Sequence, residues 1–143
     1  MKNTKSYIKI YTVALVAFLV IDLFWITLFA NHFYRNRLGY ILSDSPNLIA
    51  ALIFYLMFIA GLAYFAVLPG VNSKGFLSGI FKSALYGLIT YGTYDLTNLA
   101  LIQHWPLSVT IMDMIWGVTV SVMVGTISIG FGKRLKTIHG LPF

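Results

Sequence analysis

Apolar residues fill four stretches of the chain, near 9–30, 47–68, 77–102 and 107–131, and short polar segments separate them. A helix needs about 20 apolar residues to cross a hydrocarbon core, so each stretch predicts a membrane span. The segment "LPGVNSKGF", with Pro69, Gly70 and Gly75, predicts a compact turn between the second and third spans. "QHWP" at 103–106 is so short that the third and fourth helices must form an antiparallel hairpin. The first connection, "NHFYRNRLGYILSDSP", is longer, and its Phe33, Tyr34, Leu38 and Ile41 predict a short helix lying in the membrane interface. The expected architecture is all-α, an antiparallel bundle of four transmembrane helices forming one domain over residues 1–143.

The polar positions inside these stretches fall at helical spacing. On the third helix Gly87, Tyr91, Tyr94, Asp95 and Asn98 share one face, while Leu85, Leu88, Ile89, Leu96 and Leu99 take the side suited to lipid. Asp113, Trp116, Gly117, Val120, Ser121 and Val124 share a face on the fourth helix; Leu15, Phe18, Asp22, Trp25 and Phe29 share one on the first. A carboxylate facing acyl chains is untenable, so these faces should converge on the bundle interior. Gly87 and Gly117 would let the backbones approach closely. Asp22 lies eight positions before Ala30, Asp95 eight before Gln103, and Asp113 seven after Pro106. At about 1.5 Å per residue, all three sit roughly 10–12 Å below the same end of the bundle. Tyr55, eight positions after Asn47, reaches that level as well. One polar layer is the expectation.

Composition narrows the class. With 59% hydrophobic and 10% charged residues, 143 residues could not hide their apolar surface in a soluble fold. The absence of Cys removes disulfides, thiol catalysis and Cys-based zinc sites. The net charge of +6 does not indicate nucleic acid, because the basic residues flank the apolar stretches instead of forming one face. Lys2, Lys5, Lys9, Lys74, Lys82, Lys133, Arg134 and Lys136 fall on one side of the bundle, and only Arg35 and Arg37 on the other. That bias places both termini in the cytoplasm, with the first helix retained as a span rather than cleaved as a signal peptide.

The acids carry the candidate chemistry. A central Asp costs about 2.5–3.5 kcal/mol to insert, and no Lys or Arg lies at that depth. Carboxyls crowded at one level cannot all ionise, so at least one is expected to keep its proton and to exchange it. The expected site therefore has Asp95 as central acid, with Asp22 and Asp113 coupled to it. Tyr55, Tyr91, Tyr94 and Asn98 would supply hydrogen bonds, Trp25 and Trp116 apolar walls, and Arg35, Arg37 and His104 the mouth. Trp105 is expected to anchor the chain at the interface. His32 and His104 lack a partner at ligand spacing, so no metal is expected. No phosphate loop, dinucleotide fingerprint or nucleophile elbow occurs, and no cofactor is expected.

These residues point to an outward-facing pocket for a small amphiphile, lipid-derived molecule or cation, with proton-coupled transport as its extension. A cofactor-free membrane isomerase or hydrolase using paired Asp, and a non-catalytic assembly protein, are the alternatives. Membrane lipids are expected partners, and four short helices around one pocket are compatible with a homodimer.

"DLFW" at 22–25, "FYLMFIAGLAYFAVLPG" at 54–70, "YGTYDLTNLA" at 91–100, "WP" at 105–106 and "DMIWG" at 113–117 resemble a bacterial family of small membrane proteins, domain of unknown function 2177. The resemblance spans nearly the whole chain. It implies a four-helix inner-membrane protein and supplies no activity, ligand or catalytic residue.

Overall fold

The structure is a computed structural model and describes residues 2–139. Every element in it is helical. Helix α1 (Lys2–Trp25) passes through a π turn (Ile26–Ala30) directly into α2 (Asn31–Leu38). Helix α3 (Leu48–Leu62) continues through a second π turn (Ala63–Val67) into α4 (Leu68–Asn72). Helices α5 (Phe76–Leu101) and α6 (Leu107–His139) complete four antiparallel rods. The connections at 39–47 and 102–106 lie at what we term the upper end; the connection at 73–75 lies at the lower end.

The first rod is longer than expected. No Gly or Pro precedes Gly39, so nothing in the chain stops the helix near Ala30, and the anticipated interfacial helix is instead its continuation. The second turn is tighter than expected. Pro69 and Gly70 stay helical, leaving Ser73–Gly75 as the bend, where the Ser73 hydroxyl donates to the carbonyls of Gly70 (3.1 Å) and Gly75 (2.6 Å). Pro69 has no N–H for the carbonyl one turn back and its ring crowds that carbonyl, and the preceding turn widens to a π turn. Lys133 Nζ donates to the Ser73 carbonyl at 2.7 Å, tying α6 to this lower bend.

Thr4–Leu38, Leu48–Asn72 and Leu107–Ile138 are long and apolar enough to cross a membrane. Helix α5 is not among them, although its 26 residues would extend about 39 Å. Its Tyr, Thr, Asp and Asn residues lower its apolarity, and its small residues bind it to α6.

Between helices in lipid there is little hydrophobic drive, so close packing has to hold them. Ser83 faces Gly125 across the α5–α6 seam, and Gly87 faces the Gly117 carbonyl and the Ser121 hydroxyl. A side chain added at Gly87 would meet backbone, so the seam depends on its having none. Lower down, Gly70 and Gly79 bring α4 against α5 beneath Ile129. Ile10, Phe18, Ile59, Leu62, Val67, Val120, Val124 and Ile129 are sealed in the lower core.

The outside is apolar. Leu28, Leu77 and Leu101 are 78–79% exposed, a surface suited to lipid. Leu85, Leu88, Ile89 and Leu96 face outward as expected. Leu99 does not, because it packs on a cluster of Leu38, Trp105 and Val109 at the upper end. Along α3, Ile59 and Leu62 are buried while Leu48 and Ile49 are 75% and 73% exposed. The upper half of α3 therefore leans away from the bundle.

Candidate functional site

A cleft of about 400 Å³ opens at the upper end between the first rod and α6. Asp22, Trp25, Asn31, Tyr34 and Arg35 line it from the first rod, Asp113 and Trp116 from α6, and Tyr94 and Trp105 close it. Positions 22, 26, 30, 34 and 38 all face it. In an unbroken α-helix each four-residue step drifts by about 40°, so the last of these would be turned about 160° from the first. The wider π turn at Ile26–Ala30 takes up about 100° of that drift and keeps these positions turned toward the cleft.

The polar groups form two tiers rather than one layer. Trp25 stacks on Trp116 with ring centroids 4.2 Å apart and planes 8° from parallel. Asp22 lies one turn below that stack and Asp113 one turn above it, about 9 Å apart along the axis. The difference from the expected single level arises because the first rod ends at Leu38, not Ala30. In the lower tier Tyr55 Oη donates to Asp22 Oδ2 at 2.8 Å. In the upper tier Tyr34 Oη donates to Asp113 Oδ1. Each carboxyl in the cleft thus faces a phenol from another turn or rod. The buried indole N–H of Trp116 lies close enough to Asp22 to interact with it, without a well-formed hydrogen bond.

Asp95 is elsewhere. It is fully buried on the face of α5 that packs against α6, and neither carboxyl oxygen has a hydrogen-bond partner among the described residues. It does not line the cleft. The amide nitrogen of Asn98 is also buried without a partner and outside the cleft. Tyr91 lies between the groups, within electrostatic reach of Asp22, Tyr55 and Asp95, with its ring against Gly117.

Of the three residues assigned to the mouth, only Arg35 lines the cleft. Its Nε donates to Asn31 Oδ1 at 2.9 Å, and its guanidinium pairs loosely with the exposed Asp44 at 3.7 Å. Arg37 is held away over the Phe33 ring, 3.9 Å from the centroid, and donates to Ser108 Oγ at 3.2 Å. His104 is a turn residue with φ 63° whose carbonyl accepts from Tyr40 Oη at 2.9 Å. Trp105, expected as an interfacial anchor, is 8% exposed and donates from Nε1 to Thr110 Oγ1 at 3.1 Å. Leu38 covers it, which the sequence placed in a separate interfacial helix.

Tyr34, Asn31 and Trp105 were not read as site residues from the sequence. The signal for the first two was present: Asn31, Tyr34, Arg35 and Leu38 keep i, i+3, i+4, i+7 spacing beyond Ala30. No group of three or more His, Asp or Glu that could hold a metal ion occurs among the described residues.

Apolar rods with carboxyls turned inward and leucines turned outward define an α-helical integral membrane protein. Residues 7–130 match the model of a family described as "Predicted membrane protein (DUF2177)", and the chain belongs to that family. No curated protein and no solved structure matches it.

Proposed function

We propose that this protein sits in the bacterial inner membrane with both termini in the cytoplasm and binds a small amphiphile, lipid-derived molecule or cation in its upper cleft. The carrying observation is that Asp22 and Asp113, from separate rods, open into one aromatic-walled cavity of about 400 Å³. Carboxyls are costly in lipid, and two that face a shared cavity gain from a ligand able to neutralise or hydrogen-bond them. Tyr55 and Tyr34 orient them, the Trp25–Trp116 stack forms an apolar wall, and Arg35 stands at the rim. The Lys and Arg bias orients the cleft outward. Asp95 fits a packing role better, because its carboxyl is sealed and does not line the cleft.

Native mass spectrometry of gently solubilised protein tests this reading. A bound small molecule is expected on the wild type and at least tenfold less of it on the Asp22→Asn/Asp113→Asn double variant. Bare wild-type protein, or the same molecule retained by the variant, would overturn it.

A further inference from the structure

We infer that the cleft is the head-group half of a two-part site, and that its ligand is a single-chain cationic amphiphile lying across Asp113. The ammonium would sit among the cleft's aromatic rings and the alkyl chain in a second hollow between α3 and α5. This rests on the binding role proposed above and narrows its ligand to one class.

The second hollow follows from the lean of α3. It measures about 430 Å³ and is lined by Phe54, Phe58, Thr90, Tyr91, Tyr94 and Asp113. Tyr94 and Asp113 line the cleft too, so these two residues are a wall common to both spaces. The hollow is closed below, where Tyr86 Oη donates to the Phe58 carbonyl at 3.0 Å and Phe58 meets Tyr91 edge to face at 5.8 Å. Its open side continues past Phe54, Phe58 and Thr90 into a shallow groove along Ala50, Ile53 and Met57. Those α3 residues face outward, so an alkyl chain already in the bilayer can enter sideways without crossing water.

The charge of the head follows from the cleft lining. Trp25, Tyr34, Tyr94, Trp105 and Trp116 offer ring surface, which attracts cations. A cation beside Asp22 and Asp113 would favour their ionised form, whereas an anionic head would oppose it. Arg35 is the one cationic side chain lining the cleft, and it is engaged at the rim by Asn31 and Asp44. Asp113 then has a purpose that packing does not give it: it is the one acid bordering both the ring-lined space and the apolar one.

The three tryptophans of the chain, Trp25, Trp105 and Trp116, all line the cleft, so intrinsic fluorescence reports on it. The full chain in dodecyl maltoside micelles is titrated with dodecyltrimethylammonium, tetramethylammonium and laurate. Saturable changes are expected with both ammonium probes, at least tenfold tighter for the one with a chain, and none with laurate. Thr90→Phe, which fills the hollow, should weaken dodecyltrimethylammonium at least tenfold and leave tetramethylammonium within twofold. Phe54→Ala should weaken the long probe severalfold with the same selectivity, and unchanged tetramethylammonium binding shows that the cleft is still folded. Asp113→Asn should weaken both. If neither Thr90→Phe nor Phe54→Ala alters the long probe while tetramethylammonium still binds, the two-part site is overturned and the cleft stands. Laurate binding as tightly as the ammonium overturns the cationic class. No saturation by any probe removes the cleft reading itself.

Discussion

Tyr55 and Asp22 are joined across two rods by a single hydrogen bond of 2.8 Å in a part-buried setting. Replacing the phenol with phenyl leaves the carboxyl oxygen without its donor, which costs about 1–3 kcal/mol. Tyr55→Phe should therefore lower the thermal midpoint of solubilised protein, followed by the loss of helical circular dichroism. Arg37→Ala, which removes only rim contacts outside the cleft, should leave both the midpoint and ligand retention unchanged. At this scale the acids were legible in the sequence because an Asp in an apolar run must turn inward. Their grouping was less so. Helical spacing fixes the face on which Asp95 lies, but not that this face is sealed against α6 while Asp113 turns toward Tyr34. Tyr34 itself was hidden because its segment was read as a connection.

The elements are held by shape. Gly87 abuts the Gly117 carbonyl, and Ser83 sits against Gly125 one turn lower. A Cβ at Gly125 would lie 2.8 Å from that of Ser83, inside the roughly 3.8 Å of a disulfide, so a Ser83→Cys/Gly125→Cys pair should cross-link on oxidation once the seam yields by about 1 Å, in a chain with no native Cys to interfere. Adding Gly87→Leu should reduce that cross-link at least fivefold, because the new side chain drives the two backbones apart. Undiminished cross-linking would show that the seam does not depend on the missing side chain. The four apolar stretches and the α5–α6 hairpin could be read directly from the sequence, since hydrophobic length and a four-residue connection leave few options. The helix ends could not. The first rod persists to Leu38 because no breaker occurs earlier, and Pro69 is absorbed by a widened turn instead of ending its helix.

The whole molecule is closed below and open above. Fully buried aliphatic side chains and glycine contacts seal the lower half, while the lean of α3 and the cleft loosen the upper half. In the orientation proposed above, the open half faces outward. Ser43→Cys, at the rim of the cleft, should react with an impermeant maleimide on intact spheroplasts, and Lys136→Cys only after permeabilisation. The reverse pattern would invert the orientation. The π turn at Ile26–Ala30 has a consequence at this same scale. It stores one residue more than an α turn needs, so deleting the exposed Thr27 would convert it to an ordinary α turn and leave Tyr34 opposite Asp113 and Arg35 at the rim. The same deletion in a plain α turn, at the exposed Leu23, would instead swing everything beyond it by about 100° and carry Tyr34 away from Asp113.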